Sequence, residues 1–492
     1  MKAVQKLQKE VDDLKQSITL KDSVFEKKDC YIKQLEDTLK DFKKHRFGSK
    51  TEKKNKDQLS LFNEVELIDD TKKAPKKPKK NKNTGKRTTL PKNLKRINKD
   101  HDLDEDQKKC PHHQSDLKHI GDVITEQLYF KPAVIKVIEH KQFKYACKCC
   151  GKYIITAKKP KEIIPKSIAT AELLAYISIS KYADALPLYR LCNMFKRMNV
   201  KVTRQNMANW MIKCSMVIQP LVNMIRDELY EEPCVHLDET PVDVLQELGK
   251  NYMWVQRAGN NIIFNYQTNR SAKIVEQLLE DYKGAIMTDG YSAYDAVALK
   301  FKIIHLACWV HARRYFIKVL DHGINKNASK MVSLIGKLYA IEKRIKKLKP
   351  KEIYEFRQLH SKPILNEIKT FSDEILHSTT PSGDMGKALK YLNNQWHKLI
   401  IYIDDGNYPI DNNSAENSIR PFVLGRKNWL FANTPSGAHA SANMYSIIET
   451  AKAHGLNPQE YLTHIYKQLP LVESVDDYEN LLPRNFKSVN AQ

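Results

Sequence analysis

A multidomain chain is predicted, built on an α/β core that a helical insertion divides, and three observations predict it. Between Cys234 and Thr268 three segments alternate apolar and polar side chains. From Ser271 to Leu320 helical and strand patterns take turns, and residues 321–400 repeat apolar positions at helical period against a lysine-rich background. Ahead of this core the composition changes several times, and a stretch of helical period, 451–492, follows it as a C-terminal helical tail.

The 492 residues leave room for about three domains. With 41% hydrophobic and 28% charged residues the composition is that of a globular protein. No apolar run approaches the roughly 20 residues of a membrane span, and MKAVQKLQKEVDDLK lacks the apolar centre of a secretory signal. A cytoplasmic protein without a membrane partner is expected. The formal charge of +24 favours polyanions, nucleic acid first among them. The nine cysteines, odd in number and without an export signal, read as thiols or metal ligands.

Residues 1–46 place Val4, Val11, Ile18, Phe25, Ile32 and Leu39 at heptad spacing, with Leu7, Leu14, Leu35 and Phe42 in a second row. That is a coiled-coil seam, and it implies a homo-oligomer. Lys21 and Lys28 interrupt the second row. Residues 47–100 read as a flexible basic linker: Lys72 to Arg96 holds twelve Lys or Arg and no acid, punctuated by Pro75, Pro78, Gly85 and Pro91. Such charge beside DNA-directed modules favours phosphate contact.

Residues 101–157 carry Cys110-Pro-His-His113 and Cys147-Lys-Cys-Cys150, separated by an alternating stretch, Thr125 to Phe143, that reads as a β-hairpin. Two ligand pairs on tight turns can enclose a tetrahedral Zn²⁺, giving a zinc-ribbon-like segment. The favoured set is Cys110, His113, Cys147 and Cys150; His112 or Cys149 could substitute. Residues 158–230 read as short helices. In NVKVTRQNMANWM, Thr203 is the expected cap, and Arg204, Gln205 and Asn206 open the next helix. This suits a helix-turn-helix-like, DNA-binding region that reads base edges through Arg204 and Gln205.

The core is assigned to 231–320 and 401–450. CVHLDETPVDVL, NYMWVQRA and NIIFNYQT form a meander with turns at Gly249 and Gly259; SAKIVEQLLEDY is helical, GAIMTDGYSAY and KIIHLACW supply strands, and VHARRYFIKVL is helical. That order matches a ribonuclease-H-like α/β fold, with Asp238 on the first strand and Asp289 at the end of the fourth, its neighbour. Thr240-Pro241 and Gly290 follow the two acids and would leave each carboxylate at an open strand end. Phosphodiester cleavage and joining need an activated oxygen nucleophile and a neutralised leaving oxygen, which two Mg²⁺ (or Mn²⁺) ions held by carboxylates supply. A third acid is required, and DNNSAENSIRPFVLGRKNWLF offers Glu416 in a helix capped near Asn412 or Asn413. Arg420, Arg426 and Lys427 would hold DNA phosphates. Taken singly, each acid is more ordinarily a turn cap or, for Glu416, the partner of Arg420 one turn away. The 127 positions between Asp289 and Glu416 are too many for one crossover, hence the insertion at 321–400.

HLDETPV, TDGYSAY, CWVHARRYF and DNNSAENSIRPFVLGRKNWLFANTPSGAHASANMYSIIETAKAHGLNPQEYL closely resemble the signature blocks of the insertion-sequence-66 family of bacterial DDE transposases. FGSKTEKKNKDQLSLFNE, the zinc segment and KYADALPLYRLCNMF extend the resemblance over nearly the whole chain. It implies that Asp238, Asp289 and Glu416 are a catalytic triad binding divalent metal, and that His311 and Arg313, beside Cys308 and Trp309, position DNA. Glu239 is left out, because strand alternation turns it to the opposite face. The resemblance further implies double-stranded DNA partners (element ends and target), accessory proteins encoded by the same element, and a nucleoid-associated location. His113 departs from the family, standing where cysteine is usual. Two other readings of the residues exist, a DNA-binding regulator and a nuclease that cuts without joining; the first predicts a missing acid, and none is missing.

Overall fold

The computed structural model describes residues 135–146, 154–321 and 323–486, with Lys15, Lys28 and Ile32. Those three positions are helical; of the apolar coiled-coil seam only Ile32 is among them, and the rest of the seam, the basic linker, and Cys110, His113, Cys147 and Cys150 all lie outside the described residues. The chain divides into two compact units, Thr71–Ala157 and the remainder.

In the smaller unit β1 (Lys144–Ala146) pairs antiparallel with β2 (Ile154–Thr156), Tyr145 opposite Ile155. The pair is closed by Ala157 N–H donating to the Phe143 carbonyl at 2.9 Å and by Gln142 donating to the Ala157 carbonyl at 2.7 Å. Of the hairpin expected at Thr125–Phe143, residues 125–134 lie outside the described residues. Residues 135–143 form no strand, and the described ladder follows them, on either side of residues 147–153.

The larger unit begins with α1 (Ala171–Tyr182), α2 (Leu188–Arg197) and α3 (Arg204–Tyr230). Thr203 caps α3 as its position predicts, its hydroxyl accepting from the Asn206 N–H at 3.1 Å. Arg204 and Gln205 are exposed on that first turn. Further along, Met207, Met211, Cys214, Ile218, Leu221 and Ile225 recur at helical spacing and are buried in the core the helices share with the sheet.

Next come β3 (Cys234–Val244), β4 (Asn251–Ala258), β5 (Asn261–Gln267), α4 (Ala272–Leu279), β6 (Ala285–Thr288), α5 (Ser292–Phe301), β7 (Ile304–Ala307) and α6 (Trp309–Asp321). The sheet order is β5-β4-β3-β6-β7, with the meander antiparallel and β6 and β7 parallel to β3. Gly259 takes φ of +52° in the two-residue turn between β4 and β5, and Gly249 φ of +90° in the longer connection between β3 and β4, where a Cβ would be strained. β3 does not end at Thr240-Pro241, as expected, but runs on against β4 to Val242. Pro241 is tolerated because β6 pairs with β3 only as far as His236, so no strand on that side calls for its missing N–H.

Three helices, α7 (Lys326–Ile345), α8 (Pro350–Leu376) and α9 (Asp384–Leu399), form the insertion. With α6 they enclose a second core around Trp309, Phe316, Leu338, Leu365 and Leu389. The chain then returns through α10 (Asn413–Trp429), the short strand β8 (Phe431–Ala432), α11 (Pro435–Ala453), α12 (Pro458–Gln468) and α13 (Val475–Asn480). β8 pairs in parallel with Asp243 and Val244 of β3. α11 covers the exposed edge of β5: Ser446 accepts the Phe264 N–H at 2.8 Å, and Thr450 accepts the Ile262 N–H at 3.1 Å and donates to the Ile262 carbonyl at 3.0 Å. An edge that would otherwise recruit another strand is thereby satisfied. Among the described residues no helix is long and apolar enough to cross a membrane.

Candidate active site

The acids converge because β6 is short. Its register with β3 pairs His236 with Met287. Continued by two residues, that register sets Asp289 beside Asp238 just where β6 has ended. Alternation along β3 turns His236, Asp238 and Thr240 to one face and Glu239 to the other. α10 lies over the first face, against β3 and β4, and brings Glu416 in on its opening turn, buried at 5% exposure.

Asn412 fixes this docking. The sequence places a helix cap here, yet the Asn412 side chain makes no cap bond. Its amide instead donates to the Leu237 carbonyl at 2.7 Å and its carbonyl oxygen lies 3.1 Å from His236 Nδ1. Since that oxygen can only accept, His236 carries its proton on Nδ1. Burial holds the His236 ring neutral, its pKa lowered to about 4. The backbone is held too, by the Asn412 N–H pointing at Cys308 Sγ, 3.2 Å away. Asp411 takes over the capping, accepting from the Asn413 N–H at 3.0 Å. Arg257 of β4 adds a bond to Ser418 of α10 at 3.1 Å.

Asp289 sits in a turn that its own carboxylate stabilises, accepting from the Tyr291 N–H at 3.0 Å, while Tyr391 of α9 donates to its carbonyl at 2.8 Å. Gly290 makes the turn possible at φ +93°; a Cβ there would lie 3.2 Å from the Gln395 side chain and 3.3 Å from the Tyr391 hydroxyl.

The carboxylates repel one another. Burial first, and then the charges of Glu239, Glu416 and Asp289, push the Asp238 carboxyl up to about 8. Two arginines partly offset the charge. Arg314 of α6 pairs with Glu416 Oε2 at 2.7 Å, and Arg270 pairs with Glu239 and lies 3.7 Å from Asp289 Oδ2. The Arg270 guanidinium lies over the Tyr291 ring, 3.8 Å from its centroid. Glu239, though on the far face, thus joins the network through Arg270 and through the Tyr294 hydroxyl, which donates to it at 2.7 Å. Neither Arg270 nor Arg314 was singled out from sequence, and neither was Asn412 as a tether. The only signals were CWVHARRYF, where three basic side chains fall within four residues of a helix, and the cap position.

Of the other predicted residues, His311 reaches the cluster, its Nδ1 lying 3.8 Å from Glu416 Oε1. Arg313 does not stand where DNA could meet it: it is buried at 5% exposure, and its charge acts on the Tyr339 hydroxyl. A helix turns about 100° per residue, so the arginine beside the acid is Arg314. Arg426 binds Thr240 of β3 at 2.9 Å, Arg420 is half-buried on α10, and Lys427 is exposed on its last turn. Arg204 and Gln205 occupy α3, a different element from any that carries the acids.

Comparison with known proteins gives this arrangement a family. The model described as Transposase IS66 family matches residues 166–440, which include all three acids. The zinc-finger binding domain of transposase IS66 matches 107–151, the IS66 C-terminal element 446–483, and a model described as Transposase C of IS166 homeodomain 34–98. Two uncharacterized proteins of Sinorhizobium fredii are similar over most of their length. Protein y4jD is 28% identical over 419 residues, 81% of this chain and 82% of the relative. Protein y4qI is 28% identical over 389 residues, 75% and 72% respectively.

Proposed function

This chain belongs to the IS66 family of transposases and carries the family's zinc-binding domain, and we propose that its α/β core is a ribonuclease-H-like DDE domain that cuts the ends of its own element and joins the freed 3′-hydroxyls to target DNA. The observation that carries this reading is the convergence of Asp238, Asp289 and Glu416 from a central strand, the end of its neighbour and a helix docked over both. The strand order, an antiparallel meander followed by two parallel strands, supports the same reading.

The donors fit a pair of hard divalent cations: they are carboxylate oxygens, and the repulsion that raises Asp238 is what bound cations relieve. Two Mg²⁺ (or Mn²⁺) ions, when bound, supply an activated nucleophilic oxygen and a neutralised leaving oxygen. Asp238 and Asp289 would hold the shared ion and Glu416 would complete the second. The Gly290 turn and Tyr291 N–H aim Asp289, Arg314 aims Glu416 through its second oxygen, and Asn412 keeps the α10 acid in register with β3. Arg420, Arg426 and Lys427 receive phosphates along α10, with His311 placing the strand beside Glu416. Arg204 and Gln205 reach base edges of the terminal repeats. The basic linker adds phosphate contacts, Cys110, His113, Cys147 and Cys150 hold the zinc, and the coiled coil joins copies so that one assembly holds both element ends. The protein works on the nucleoid, in the cytoplasm, with accessory proteins of the same element as partners.

Incubating the purified chain with labelled element ends, target DNA and Mg²⁺ tests this. Cleavage followed by joining is expected. Binding without cleavage would make the chain a regulator, and cleavage without joining a nuclease.

A further inference from the structure

We propose that Cys308, His311 and Glu416 form a second metal site, for a thiophilic divalent cation such as Zn²⁺, whose occupation withdraws Glu416 from cleavage. One donor atom from each residue lies within 4.8 Å of the other two. His311 Nδ1 and Glu416 Oε1 face each other at 3.8 Å, and both are buried without a hydrogen-bond partner among the described residues. That separation is too long for a hydrogen bond. It is near the roughly 3.3–3.8 Å between two ligands of one tetrahedral zinc. An open lone pair on a glutamate side chain only 6% exposed is an unusual thing to leave idle.

Local structure sets the donors up. Cys308 stands one residue before α6 and His311 on its first turn, so their spacing of three puts sulfur and nitrogen on the same side. Arg314 holds Oε2 of Glu416 and leaves Oε1 turned toward them. The Asn412 N–H aimed at Cys308 Sγ would bond more strongly to a thiolate than to a thiol, and outer hydrogen bonds of this kind orient and tune a metal ligand. Thiolate and carboxylate together balance a 2+ charge; the thiol proton leaves to solvent as the metal binds. Sulfur and imidazole select against Mg²⁺, which prefers oxygen. The imidazole, with its side chain 25% exposed, gives the cation its way in.

The inhibitory consequence rests on the catalytic role proposed for Glu416; the binding itself does not. The test uses the full chain freed of metal and titrated with Co²⁺, read by bound equivalents and by thiolate-to-cobalt charge-transfer absorption. Comparison is with C308S, which keeps an acceptor for the Asn412 N–H, and with H311A on the more open side of the site. Both variants are expected to bind one equivalent fewer than the parent, whatever the zinc-binding segment contributes, and C308S to lose one thiolate's share of the absorption. Equal equivalents and equal spectra in all three overturn the site. In Mg²⁺-driven cleavage, C308S should need at least tenfold more Zn²⁺ than the parent for half-inhibition, and equal sensitivity overturns the inhibitory role. Cleavage by D238N would refute the catalytic reading alone, leaving the cobalt result standing.

Discussion

Replacing Asn412 by alanine separates a residue that positions the site from one that merely packs. The side chain is 1% exposed and serves two buried groups, the Leu237 carbonyl at 2.7 Å and His236 Nδ1 at 3.1 Å. Each orphaned group costs about 1–3 kcal/mol, so a loss of roughly 3 kcal/mol is expected. Urea unfolding should show it as a lower midpoint at unchanged slope. The same change unties the start of α10 from β3, next to Asp238 and four residues ahead of Glu416. A displacement near 1 Å at a reacting centre lowers the rate on the order of a hundredfold. Single-turnover cleavage of preformed complexes at saturating Mg²⁺, at a temperature where N412A is folded, measures that loss. A variant that loses stability but cleaves within about threefold of the parent would refute the positioning argument, since an effect on folding alone leaves the folded rate untouched.

Other outcomes follow from the same geometry. Asp238, raised by burial and neighbouring acids to about 8, keeps its proton in the metal-free fold where the unfolded chain has lost it. Its contribution to stability is therefore full below the ordinary value of 3.8 and is lost as pH rises toward 8. In EDTA, D238N should be the more stable protein at pH 8, with little difference at pH 4, by urea titration. Calorimetry of Mg²⁺ binding at pH 7 in two buffers should show close to one proton released, and none in D238N. G290A forces a side chain into φ +93° against Gln395; about 1–3 kcal/mol of strain should appear as lower stability and slower cleavage, and an unchanged rate would show that the turn does not aim Asp289. Arg204→Ala should weaken binding of element ends by about 1–3 kcal/mol and relax the preference for one base of the repeat, read by titration against repeat variants; a loss equal on every sequence would show that the guanidinium does not read a base.

Much of this was legible in the sequence because it is local. Alternation marks β3, β4 and β5, the hydroxyl of Thr203 marks the start of α3, and the length between Asp289 and Glu416 demands the helices that fill it. What could not be read depends on how elements lie against one another. Arg270 and Arg314 become site residues only because their elements pass the acids, and Asn412 looks like a cap until β3 is set beside it. Pro241 looks like a strand terminator because sequence does not reveal that β6 stops at Thr288. Residues 135–143 form no strand, and the pairing that does form, Lys144–Ala146 with Ile154–Thr156, depends on a partner that a pattern alone does not supply. The three acids gain their meaning the same way: each alone is an ordinary carboxylate, and the fold is what makes them neighbours.

The most direct test of that claim is the metal preference of Asp289→Cys. If Asp289 binds the cation, the thiolate variant should bind element ends yet cleave them negligibly in Mg²⁺ and recover cleavage in Mn²⁺, a softer partner for sulfur, with Asp289→Asn inactive in both. Cleavage by Asp289→Asn in Mg²⁺ at a rate near that of the parent would contradict the account.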